Sequence, residues 1–278
     1  MRPAFYFFIL FQPRFLFWIL ILLFFCAAPI SARELRVLTY NVRNGRGLDK
    51  ADADIPRIIG VIASQKPDVV GIQEIDQNTQ RSGKRDLMKE MSAALKMRAN
   101  FAPAVSLQGG KYGIGTLSKI KPLKVYNIPL PGKEEKRTLQ VVEFRKFVFF
   151  NTHFSLTKES RIESVKIIET ERKKFTKPII LTGDFNAKKN STTIRELQKN
   201  WTQISPDAKT FPADKPRIQI DYVFITNAEN VVVKEAKVIE ATKESDHRPV
   251  LVVVDFSVRP KETPVKKSTS KNKASSKK

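Results

Sequence analysis

From residue 35 to residue 256 the chain alternates short apolar runs with charged segments of helical spacing. Residues 35–42 are β-branched and alternating, which predicts a first strand. In 52–65 the apolar residues fall at Ile55, Ile58, Ile59, Ile62 and Ala63, a helical spacing that Pro67 and Asp68 end. Residues 69–73 predict a short buried strand, and 84–96, with Leu87, Met91, Ala94 and Leu95, a second helix. Strands are expected over 112–118 and 123–128, separated by Pro122. Residues 138–144 and 147–152 predict a hairpin turning at Arg145-Lys146. A third helix is expected over 158–174, through Ile162, Val165 and Ile168, then a buried strand over 179–182 and a short helix over 192–199. Residues 218–226, 231–239 and 250–256 predict the closing strands. Hairpins and strand–helix units in one chain argue for an α/β fold with mixed sheets.

The two ends of the chain differ from this body. Arg2 and Arg14 flank apolar runs, 15–28 is an almost unbroken stretch of Phe, Leu, Ile and Trp, and Ala27, Ala28, Ser31 and Ala32 offer small residues for cleavage. This pattern predicts a secretory signal peptide over 1–32 and a protein exported to the periplasm or medium. An uncleaved membrane anchor is the rival reading, but the uninterrupted run falls short of the roughly 20 residues a spanning helix needs. Residues 258–278 are Lys, Ser, Thr and Pro with almost no apolar content, which predicts a disordered basic tail. Residues 33–257 remain as one domain, long enough for a real core.

Charge narrows the partners. Of the formal net charge of +22, the tail holds +7 and the leader +2, leaving +13 on the body. Such a surface suits nucleic acid, anionic lipid or another polyanion. Nothing in the sequence calls for an obligate protein partner, and a monomer is expected. Cys26 is the only cysteine and falls in the leader, so the mature protein is expected to have neither a disulfide nor thiol chemistry.

The candidate chemistry stands at strand ends. Asn41 follows the first strand, Glu74 the second, and His153 the strand over 147–152. Asp184 and Asn186 follow 179–182, Asp221 sits among Ile218, Ile220, Tyr222 and Val223, and Asp246-His247 precedes the last strand. Any one of these residues could be a turn or cap residue. Together they take in both histidines of the chain and supply hard oxygen donors suited to Mg²⁺, Mn²⁺ or Ca²⁺. A cation to neutralise phosphate, a base to orient water and a donor for transition-state oxygens are what phosphate ester hydrolysis requires.

The strings that carry these residues are Leu38-Thr39-Tyr40-Asn41-Val42, Val69-Val70-Gly71-Ile72-Gln73-Glu74, Asn151-Thr152-His153, Leu181-Thr182-Gly183-Asp184-Phe185-Asn186, Ile220-Asp221-Tyr222-Val223-Phe224 and Ser245-Asp246-His247-Arg248-Pro249-Val250. In content and order they resemble the endonuclease/exonuclease/phosphatase superfamily, the deoxyribonuclease I-like metal-dependent phosphoesterases. The resemblance implies a four-layer sandwich of two packed mixed β-sheets flanked by helices. It implies metal binding by Glu74 with Asn41 and Asp246, with Mg²⁺ the first expectation. It also implies that Asp184 orients or deprotonates water, that Asn186 donates to phosphoryl oxygens, and that His247, paired with Asp221, is an acid/base or phosphate contact. His153 is implied as general acid or phosphate ligand. Arg43 and Arg81 are possible phosphate contacts, and Tyr112-Gly113-Ile114-Gly115 resembles the family's strand entering the site.

The substrate is less constrained. A nuclease acting on DNA or RNA fits the basic body and tail, because counterion release drives binding to a polyphosphate backbone. A lipid or small-molecule phosphodiesterase or phosphatase fits export equally well, although no long apolar insertion is present to dock on lipid. A non-catalytic polyanion-binding module is the third reading, and the completeness of the polar set argues against it.

Overall fold

The computed structural model describes residues 34–49 and 53–256, so the expected signal peptide and basic tail lie outside the described residues. The first sheet contains β1 (Leu35–Asn41), β2 (Val69–Gln77), β3 (Arg98–Leu107), β4 (Gly110–Ser118), β11 (Val232–Val238) and β12 (Val250–Asp255), in the order β11-β12-β1-β2-β4-β3. The second contains β5 (Lys124–Leu130), β6 (Arg137–Glu143), β7 (Val148–His153), β8 (Ile179–Asp184), β9 (Thr202–Gln203) and β10 (Asp221–Ile225), in the order β5-β6-β7-β8-β10-β9. Each sheet has one parallel pair, β1 with β2 and β7 with β8, among antiparallel neighbours.

Helices cover both outer faces. On the first sheet, α1 (Ile55–Gln65) and α2 (Leu87–Leu95) bury Ile55, Ile58, Ile62, Leu87, Met88 and Met91 against Leu38, Tyr40, Val70 and Ile72. On the second, α3 (Lys158–Arg172) and α4 (Thr192–Leu197) bury Val165, Ile168, Ile194 and Leu197 against Val148, Phe150, Leu181 and Phe224. The α2 start is set by Asp86, whose carboxylate accepts from the Lys89 amide at 3.0 Å. The sandwich is therefore four layers deep.

Between the sheets the filling changes along the strands. At one end Leu35, Val37, Val69, Phe144, Phe147, Phe149, Ile180, Val252 and Val254 form an apolar cluster. Toward the other end the inner face turns polar. Gln73 Nε2 donates to Asn151 Oδ1 at 2.7 Å, Asn151 Nδ2 donates to the Gly115 and Ile72 carbonyls, and Thr116 Oγ1 donates to Gln140 Oε1 at 2.6 Å. These buried groups satisfy one another, which is the condition for tolerating them in a core. Gly71 makes the close approach possible: a Cβ there would stand 2.7 Å from Thr182 Oγ1 and 2.8 Å from Asn151 Oδ1. The strand period of two explains the switch, since Leu35, Val37, Thr39 and Asn41 share the inner face of β1.

The sequence expectations hold for most elements, and the exceptions have local causes. The first helix begins at Ile55 rather than 52. β2 runs through the expected stop at Gln73 to Gln77, because a bulge between Ile72 and Ile75 absorbs Glu74. β3 was not expected. Its sequence carries Pro103 and little apolar alternation, and it is the edge strand, where a missing N–H and a half-solvated face are tolerated. The closing strand expected over 218–226 is ordered only from Asp221 to Ile225, with Ile218 in an isolated bridge to Phe211.

Candidate active site

The polar residues foreseen at strand ends meet at one end of the sandwich. Asn41 ends β1, His153 ends β7, Asp184 ends β8 and Asp221 begins β10, and the register pairs His153 with Asp184 and Asp184 with Asp221. Glu74 sits at the β2 bulge with φ of 54°, a left-handed conformation that turns its side chain out of the strand's alternation. Asp246 and His247 lie just before β12. Glu74, His153, Asp184, Asn186, Asp246 and His247 all line one cleft of about 500 Å³.

Asn41 is the hub. Its Nδ2 donates to Glu74 Oε1 at 2.9 Å and to Asp184 Oδ2 at 3.0 Å, while its Oδ1 accepts from the Arg43 amide at 3.1 Å. Two carboxylates are thus drawn together out of water. Burial pushes Glu74 up, with Asn41 and His247 opposing and Asp246 adding to the rise. Burial likewise pushes Asp184 up to about 7, against the pull of His247, with Asp221 adding to the rise.

The histidines occupy opposite states. His247 Nδ1 lies 3.1 and 3.0 Å from the two carboxylate oxygens of Asp221, and Nε2 lies 3.6 Å from Asp184 Oδ2. Burial opposes its charge, but Asp221 and Asp184 outweigh that and push it up to about 10. It is therefore an imidazolium at neutral pH. Thr210 Oγ1 donates to Asp221 Oδ2 at 2.5 Å, and the Phe211 ring stands 4.8 Å from the His247 ring. His153 is held well below its ordinary range by burial, by Arg137 and by His247. Arg137 Nη1 is 3.0 Å from His153 Nδ1, and Asn186 Nδ2 is 3.1 Å from His153 Nε2. Both ring nitrogens of His153 thus face N–H donors, which together with burial favours the neutral imidazole.

Asn186 is placed by its own backbone. At φ of 46° its N–H donates to Asp184 Oδ1 at 2.9 Å, fixing that carboxylate, and its Nδ2 donates to the Phe154 carbonyl at 2.9 Å. Arg43 lies at the rim with Nε 3.5 Å from Asp246 Oδ2. Arg81 is differently engaged. It donates to both oxygens of the buried Asp76 at 2.7 and 2.8 Å and to Asn44 Oδ1 at 2.6 Å, and its guanidinium stacks on Tyr112. It clamps the β2 extension and the Asn44 turn rather than lining the cleft.

Several cleft residues carried no sequence signal. Arg137 is 6% exposed and pairs with Glu134 at 3.0 Å and Glu135 at 2.6 Å, and all three line the cleft. In sequence they belong to a charged run, 133–137, that reads as a solvated turn. Only the fold shows that Arg137 begins a strand facing His153.

The donor chemistry fits a hard divalent cation. Ligand atoms of Glu74, His153 and Asp184 lie within 4.8 Å of one another. Half-buried Glu74 and buried Asp184, both raised by desolvation, are the groups a cation would neutralise. Glu74 would hold it, with Asn41 supporting Glu74; Asp246, also expected to, lines the same cleft but joins no such cluster among the described residues.

A four-layer sandwich with clustered carboxylates, amides and histidines at one end defines the deoxyribonuclease I-like class. The model described as the endonuclease/exonuclease/phosphatase family matches residues 38–247, and the chain belongs to that family, whose members are hydrolases acting on phosphoesters. Among solved structures, a family protein from Bacteroides thetaiotaomicron is 21% identical with a TM-score of 0.67, covering 81% of this chain and 99% of its own. A mannosyl-6-phosphatase from Bacteroides thetaiotaomicron is 21% identical with a TM-score of 0.66, covering 80% and 100%. The catalytic domain of human nocturnin is 16% identical with a TM-score of 0.62, covering 81% and 95%. No curated protein matches the sequence significantly.

Proposed function

We propose that this protein is an exported, divalent-metal-dependent phosphodiesterase that hydrolyses the backbone of DNA or RNA. The observation that carries the chemistry is the pair of carboxylates, half-buried Glu74 and buried Asp184, bridged by Asn41 beside the cationic His247. A bound divalent ion would neutralise phosphate charge at Glu74. Asp184, pushed up to about 7 and with Oδ1 fixed by the Asn186 amide, accepts the proton of the attacking water as its oxygen bonds to phosphorus and the ester oxygen departs, taking its proton from solvent. His247, held by Asp221, donates from Nε2 to a non-bridging oxygen, where charge grows in the transition state. The neutral His153 and Asn186 line the same wall and orient the phosphoryl group. The basic body supports a polyanionic substrate.

A phosphatase acting on a small hydroxylated ester is the second reading. Glu134 and Glu135 line the cleft, where carboxylates accept sugar hydroxyls and repel flanking phosphates, and one similar structure is a mannosyl-6-phosphatase. The test is hydrolysis of plasmid DNA and RNA by the purified protein, with Mg²⁺ or Mn²⁺ and with EDTA, beside an Asp184→Ala control and a mannose 6-phosphate reaction. Metal-dependent strand cleavage absent from the control supports the nuclease. Phosphate release from the sugar ester with intact DNA transfers the proposal to the phosphatase.

A further inference from the structure

The end of the sandwich opposite the cleft combines features that the hydrolytic site does not use. β4 ends there at Ser118, β5 starts at Lys124, and the β6–β7 turn at Arg145-Lys146 stands beside them, tied by the Leu123 amide donating to the Glu143 carbonyl at 2.7 Å. The β4–β5 loop reads Lys119-Ile120-Lys121-Pro122-Leu123-Lys124. Ile120 is 37% and Leu123 64% exposed, and Val232 and Val233, at the start of β11, are exposed at the same end. These are four of the six exposed large apolar residues among those described. Around the loop, Lys121, Arg145 and Lys146 are exposed and make no ion pair among the described residues. The chain enters the sandwich at Glu34 and leaves at Phe256, both at this end, since Leu35 pairs with Val254. The sequence before Glu34 carries the apolar run 15–28, and that after Phe256 carries eight Lys or Arg against one Glu.

We infer that this end is a docking face for an anionic membrane surface, presenting Ile120 and Leu123 to the headgroup–acyl boundary and Lys121, Lys124, Arg145 and Lys146 to the lipid phosphates, with the catalytic cleft turned away from the bilayer. Nucleic acid would be served by the cations alone, whereas exposed aliphatic tips between lysines gain free energy at a lipid boundary and none on a polyphosphate backbone. Basic attraction and a shallow apolar insertion are each marginal, and together they give stable binding. The inference does not depend on which phosphoester the cleft hydrolyses.

The test is sedimentation of the protein expected after export, residues 33–278, with vesicles of phosphatidylcholine alone and of phosphatidylcholine with phosphatidylglycerol. Binding is expected to require the anionic lipid. The triple variant Lys121→Gln, Arg145→Gln, Lys146→Gln is expected to lose about 100-fold in partition, roughly fivefold per charge, with unchanged turnover on a small soluble ester. Leu123→Trp reports the contact directly, its added emission moving to the blue on anionic vesicles. An unshifted emission overturns the inference whatever the bulk partition, as does equal binding to vesicles without anionic lipid.

Discussion

His247 and Asp221 form a buried pair, with Nδ1 of the imidazole 3.0 Å from Oδ2 of the carboxylate. The pair fixes a cation at the back of the cleft and turns Nε2 toward Asp184 and Asn41. Asp221→Asn keeps the shape and removes the charge that holds the proton. Turnover is expected to fall roughly 10²–10⁴-fold, and NMR titration of the imidazole should show its pKa dropping from about 10 toward the ordinary range. An unchanged titration would remove the pair from the mechanism.

Asp184 sets the acidic limb of the pH profile. It must be ionised to accept a proton, so activity at limiting metal should rise as pH passes about 7. A bound cation favours the ionised carboxylates, so raising Mg²⁺ should move that limb to lower pH. Asp184→Ala should abolish the limb and cost roughly 10²–10⁴-fold in kcat. A limb that ignores metal concentration contradicts the assignment.

The same shifts set stability without metal. Asp184 has a raised folded pKa, so the native state holds a proton that the unfolded chain releases between the ordinary carboxylate range and about 7, and stability falls as pH rises through that window. His247 is also raised: its contribution is full below its unfolded value and is lost as pH rises toward about 10. Below the ordinary histidine range the lowered His153, which folding deprotonates, offsets Asp184, so melting curves of the metal-free protein should show Tm falling mainly as pH rises from about 7 toward about 10.

Arg81 separates two roles. The structure engages it with buried Asp76 and with Asn44. Arg81→Ala should destabilise the fold by about 3–5 kcal/mol, because it leaves a buried carboxylate unpaired, and urea denaturation measures this. Loss of substrate affinity at full stability would instead make it the phosphate contact that its position after Glu74 suggests.

Gly71→Val probes the seam between the sheets. Its Cβ would meet Thr182 and Asn151 below 3 Å, so overpacking is expected to cost about 1–3 kcal/mol or more. A variant as stable as the parent would show that the sheets separate freely.

Most of the site was legible because strand ends are punctuated in sequence. Asn41, His153, Asp184 and Asp221 each close or open an apolar run, and the fold aligns those ends. Glu74 was legible as a residue but not as a conformation, since the bulge that turns it depends on pairing with β4, more than 30 positions away. Arg137 was hidden by its charged neighbours, and β3 by Pro103, because their burial or pairing depends on long-range contacts and not on local pattern. The protonation states of the two histidines lie further from sequence still. They follow from whether the nearest partner is Asp221 or Arg137.

The central claim is that the Glu74–Asp184 centre hydrolyses phosphoesters with a divalent ion. The most direct measurement is turnover against Mg²⁺ or Mn²⁺ concentration for the EDTA-stripped protein and for Glu74→Gln, on whichever ester proves a substrate. No turnover without metal, full recovery on its return, and at least about a tenfold higher metal requirement in the variant are expected. Full activity in EDTA, or an identical metal dependence in Glu74→Gln, would contradict the claim.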